Sequence, residues 1–256
     1  MVNLIRMETY RFRKSIASLV ILLSATLFMV LVFYLMLAST NTTDELSVAS
    51  NTIMNYYQYM IQGDVLALFI VIFGVAFFSS ENSSGFIKNT YGKESKKYKF
   101  LLSKLAVITL FTLILFAIAF MICIVGQQIS NHAIVFGSNW GGFIRFIAIQ
   151  FVLEIGFGAI VICLVSLVKN NIATTIVGII YVMYGDVIYS LLDEKIQKLF
   201  HLSNFKLSNY VVFGNLYSIN MNSSAKSCLR AFIVALFIGI LSIEVSNIVL
   251  KKSDIQ

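Results

Sequence analysis

The sequence predicts an all-α integral membrane protein with six transmembrane helices, and three observations carry that prediction. Of its 256 residues, 59% are hydrophobic and 12% charged, roughly half the charge of a soluble domain, and the mean hydropathy is +0.87. Six segments supply the ~20 apolar residues that a hydrocarbon core of ~30 Å demands at ~1.5 Å per residue. Proline is absent, so any break in a span has to come from glycine.

The N-terminal stretch MVNLIRMETYRFRKS alternates apolar Leu4, Ile5 and Phe12 with Asn3, Arg6, Glu8, Arg11 and Arg13. Glu8 and Arg11 are at helical pairing distance. The stretch reads either as an interfacial helix feeding the first span or as a solvated basic tail that sets orientation. The first span, Ile16 to Ser39, is too long for a cleaved signal, and no convincing small-residue cleavage site precedes the NTTDE loop.

The second span runs roughly from Tyr57 to Ser79. Its strictly apolar part covers only Val65 to Phe78, so YYQYMIQGD has to supply its upper turns, with amphipathic tyrosines at the interface. The remaining spans are Phe100 to Gln127, Phe143 to Val168, Ile172 to Leu192 and Leu229 to Leu250. Together they make residues 1–256 a single transmembrane domain.

Between spans five and six lies the longest outside segment, Asp193 to Ser227, where Leu192, Ile196, Leu199 and Phe200 recur at helical intervals. It is followed by NYVVFGNLY, which is apolar but too short to cross. A pair of outer-surface or re-entrant helices is expected there, or else a folded loop anchored by aromatics.

Lys and Arg are distributed unevenly. Thirteen lie at the two termini, between Lys88 and Lys104, and at Lys169; only six lie on the other side, and Thr40 to Asn55 carries none. The positive-inside rule therefore places both termini in the cytoplasm. The net charge of +7 belongs to topology and not to a nucleic-acid partner.

No catalytic or metal centre is expected. Cys123, Cys163 and Cys228 are an odd number scattered over separate segments and read as packing residues. His132 and His201 stand alone, and neither HExxH nor GxSxG occurs. Gly92-Lys93 is followed by Glu94, and Ile87 stands where a nucleotide loop needs its first glycine. The backbone cradle and the magnesium-binding hydroxyl are both missing, so this chain does not hydrolyse ATP by itself.

Four acids fall within or near the spans: Asp64, Glu154, Asp186 and Glu244. A charge near mid-bilayer costs about 2.5 to 3.5 kcal/mol. Asp64, Glu154 and Asp186 could line a path for a cationic substrate, with Glu154 deepest. Alternatively, each is a neutral or hydrogen-bonded carboxyl that holds spans together, and for Glu154 the partner at hand is Gln150, one turn away.

The polar segment SSENSSGFIKNTYGKESKKYKF, Ser79 to Phe100, interrupts the apolar runs for longer than a connecting loop needs. Glu81, Gly85, Phe86, Ile87 and Lys88 resemble the E-x-x-x-G-(T)-I-K pattern of the ABC type-2 exporter permeases, with Phe86 where Thr is common. Ser95, Tyr98, Ser103 and Lys104 resemble that family's entry to span three. Leu4, Glu8, Arg13 and Lys14 are similar to its opening, and Lys251 to Ile255 to its K-K-x-D-I ending.

The resemblance implies an N-terminal interfacial helix, a cytoplasmic coupling helix after span two and outer helices before span six. It implies a second permease chain, identical or similar, and two copies of an ABC ATPase that bind ATP and magnesium, so no cofactor is expected in this chain. Phe86, Ile87 and Tyr91 can share one face of a short helix set into a groove of the ATPase, with Glu81 at its start. A basic loop lying on anionic lipid explains the lysines but not Phe86 and Ile87.

By analogy the cargo is a peptide or another hydrophobic or antimicrobial compound, including lantibiotic immunity, and the location a bacterial plasma membrane. Two other classes remain open. One is an ion-coupled secondary carrier, although no internal repeat or pair of interrupted spans is legible; the other is a membrane adaptor or sensor.

Overall fold

The computed structural model describes residues 2–40, 52–82, 98–129, 136–168, 170–200 and 206–253. Among them every regular element is helical: α1 (Val2–Lys14), α2 (Ile16–Thr40), α3 (Ile53–Ile61), α4 (Asp64–Asn82), α5 (Tyr98–Ile129), α6 (Trp140–Val168), α7 (Asn171–Phe200), a 3₁₀ turn (Leu207–Tyr210), α8 (Val212–Ser218) and α9 (Ala225–Ser253). Among the described residues five helices are long and apolar enough to cross a membrane, and the bent pair α3–α4 passes the same test when its two helices are taken together. Helices suit these runs because each satisfies its own backbone where no water can. Hydroxyls inside them bond back to the preceding turn, as Thr112 does to Ile108 O at 2.9 Å and Ser246 to Ser242 O at 2.7 Å.

Span two differs from a single continuous helix. It breaks between α3 and α4 with a bend of 44°, at Gln62 and at Gly63, whose φ is +97°. That backbone conformation favours glycine, so this interrupted span turns at a glycine, as expected of a chain without proline. Thr52 caps α3 by accepting from Asn55 N.

α6 sits centrally, packed against α4, α5, α7, α8 and α9. Its closest neighbour is α9. A Cβ placed on Gly156 would lie 3.0 Å from Ala235 O and 3.3 Å from Ala235 Cβ, so the two helices approach through small residues, which is how spans gain contact where lipid offers no hydrophobic driving force.

The expected break after Leu192 does not occur. α7 runs on to Phe200 as one helix, because no glycine or proline falls between Asp186 and Phe200 and Glu194 pairs with Lys198 one turn on at 2.5 Å. Beyond it, Leu207–Tyr210 forms the 3₁₀ turn and Val212–Ser218 forms α8. Asp193 Oδ2 accepts from Ser208 Oγ at 3.0 Å, and its Oδ1 accepts from Leu207 N, which ties the turn to α7.

Candidate functional site

Two regions carry the residues singled out by sequence. The first is the end of the bundle where α4 finishes and α5 begins, the helices that flank residues 83–97. Glu81 falls in the last turn of α4, while Gly85, Phe86, Ile87, Lys88 and Tyr91 lie outside the described residues.

α1 closes against this end through a buried ion pair. Lys104 Nζ of α5 lies 2.9 Å from Glu8 Oε2, with Lys104 1% and Glu8 0% exposed. Arg11 approaches the same oxygen at 3.3 Å, the pairing expected from spacing. Aromatic faces surround the ammonium, with ring centroids at 4.5 Å for Phe77 and 5.0 Å for Phe100. Deeper in, Phe12 of α1 meets Phe73 of α4 edge-on at 5.5 Å, and Phe73 stacks on Phe111 of α5 at 4.0 Å. Phe78 and Phe100 meet at 6.1 Å across α4 and α5, so α1 and a seam of rings hold both helices that flank the intervening segment.

Counting charge had assigned Lys104 to topology alone. Its burial against Glu8 is a tertiary fact, although both residues belong to stretches that resemble the family.

The second region surrounds the break in span two. Gln150 of α6, fully buried, donates from Nε2 to the carbonyls of Ile61 and Leu216, each at 3.1 Å. These carbonyls lie at the C-terminal ends of α3 and α8, where backbone acceptors have no intrahelical partner. Gln62 Nε2 donates to Tyr217 O, and Met221 N donates to Gln58 Oε1 at 3.1 Å. Three glutamines thus bind α8 and the chain after it to the broken span. Spacing had suggested Gln150 as a partner for Glu154; its amide instead serves backbone.

The three acids expected on a path are only partly gathered. Glu154 is 0% exposed and neither of its oxygens has a hydrogen-bond partner. Asp64 opens α4, at the positive end of the helix dipole, and Asp186 of α7 is close enough for the two carboxylates to repel. Asp186 is exposed. It borders a polar pocket of about 370 Å³ shared with Ser190, Asp193, Glu194, Lys206 and Ser208. Among the described residues no three His, Cys, Asp or Glu side chains are grouped to hold a metal ion.

A family model described as ABC-2 family transporter protein matches residues 4–185, from α1 through most of α7. The chain belongs to the ABC-2 transporter family. No curated protein matches it. Membership makes this ABC-2 protein a multi-pass membrane subunit of a transporter, and the match takes in both α1 and the helices flanking residues 83–97.

Proposed function

We propose that this chain is the membrane-spanning permease subunit of an ATP-driven exporter that moves peptides or other hydrophobic, antimicrobial compounds out of the membrane or cell. The observation that carries the reading is the family match across residues 4–185. A separate ATPase, present in two copies, binds ATP and magnesium and docks on residues 80–99, where Glu81, Gly85, Phe86, Ile87, Lys88 and Tyr91 form the contact. A second permease chain completes the transporter in a bacterial plasma membrane, with both termini cytoplasmic. The clamp of α1 on α4 and α5 supports this reading: a load applied to the segment between them reaches a rigid aromatic seam and not two loose helix ends.

One observation favours a second reading. A span broken near unpaired acids is also how ion-coupled carriers build their sites. Reconstitution with the partner ATPase in proteoliposomes separates the two: transport of a labelled cationic peptide that requires ATP supports the exporter, and transport driven by an ion gradient without ATP supports the carrier.

A further inference from the structure

Around the break in span two, buried oxygens lack donors. Gln150 Oε1, both oxygens of Glu154, Asp64 Oδ1 and Asn215 Oδ1 have no hydrogen-bond partner, and Gln150, Glu154 and Asn215 are each 0% exposed. The amide donors nearby are already committed to backbone: Gln150 Nε2 to Ile61 O and Leu216 O, and Asn215 Nδ2 to Asn209 O and Val211 O. Arg230 donates to Asn209 Oδ1 at 2.9 Å, and neither Glu154 nor Asp64 has an ion-pair partner among the described residues. The C-terminal ends of α3 and α8 bring the negative ends of two helix dipoles to the same place.

A buried polar group without a partner is costly, and a buried charge more so. Arg230 Nε is also left without a partner, but at Gln150 and Glu154 only acceptors are left over. A proton on Glu154 provides one donor, whereas a cation serves several oxygens at once. Gln150 and Glu154 are one turn apart on the same face of α6. The carbonyls that Gln150 touches each keep a free lone pair. One carboxylate with neutral amide and carbonyl oxygens suits a hard ion of single charge, and no group of three acidic, thiol or imidazole ligands is present among the described residues for a transition metal.

We infer that the break between α3 and α4 binds a monovalent cation of the sodium class through Gln150 Oε1 and the Glu154 carboxylate, beside the carbonyls of Ile61 and Leu216. The site joins α3, α6 and α8, so occupancy sets how tightly the broken span is held. The inference goes beyond the exporter reading and does not depend on it, because it concerns this chain without its ATPase.

The test uses the full chain purified in detergent, with sodium chloride exchanged for N-methyl-D-glucamine chloride at constant ionic strength. The unfolding midpoint of the wild type rises with sodium concentration, as a ligand that binds only the folded state requires. Glu154→Gln loses that shift, and Glu244→Gln, in α9, keeps it. Saturable binding of radioactive sodium to the wild type, displaced by unlabelled sodium, gives the same answer without any variant. The inference is overturned by a midpoint indifferent to sodium together with no saturable binding, by an equal sodium shift in Glu154→Gln, or by a midpoint that follows pH and not sodium.

Discussion

Lys104 Nζ rests 2.9 Å from Glu8 Oε2 with both side chains withdrawn from the surface, and this contact fastens α1 to the first turns of α5. Removing one member of such a pair leaves an uncompensated buried charge, at a cost of about 3–5 kcal/mol. Glu8→Gln is expected to lower the unfolding midpoint in detergent more than Lys104→Met, because Arg11 at 3.3 Å still partners Glu8 in the second variant. The double variant Glu8→Leu/Lys104→Met recovers most of the loss, since no charge remains buried. Single losses that simply add in the double variant would refute the coupling.

Gly63 turns the chain between α3 and α4 at a φ of +97°. An L-residue there is disfavoured by roughly 1–2 kcal/mol, and a Cβ would stand 3.2 Å from the Tyr217 ring. Gly63→Ala is expected to lower thermal stability, with Gly63→Asn milder because asparagine tolerates left-handed backbone. Unfolding midpoints that do not distinguish alanine from glycine would remove the turn from the list of constraints.

Gln150→Leu leaves the carbonyls of Ile61 and Leu216 without their donor in an apolar interior, at about 1–3 kcal/mol each. Hydrogen exchange should rise locally at the end of α3 and in α8, with little change in α2. Unchanged protection in both helices would show that the two carbonyls find other partners.

Phe86→Asp places a charge on the apolar face assigned to the ATPase groove. The variant is expected to insert normally and to lose the ATPase on co-purification. Retention of a coupled ATPase would make the docking assignment wrong.

Glu154→Gln keeps the volume of the side chain and removes its charge. We expect impaired ATP-dependent transport in proteoliposomes and an unaltered elution profile on gel filtration. Full transport by this variant would take Glu154 out of the transport path.

The helical membrane class and the family resemblance were legible in the sequence, because each rests on local quantities: the length of an apolar run, and short motifs such as the one from Glu81 to Lys88. The absence of proline pointed to glycine at any break, and YYQYMIQGD holds one, Gly63; that α8 would lie beside that bend and receive Gln62 and Gln150 was not legible. The pairing of Glu8 with Arg11 was readable because both lie within one helical turn. The pairing of Glu8 with Lys104 was not, because 96 residues separate them and only the packing of α1 on α5 brings the charges out of water together. By itself the sequence determined what had to be buried in lipid; the tertiary structure decided which buried polar groups found partners, because in a medium without water each such partner has to be supplied by another part of the chain.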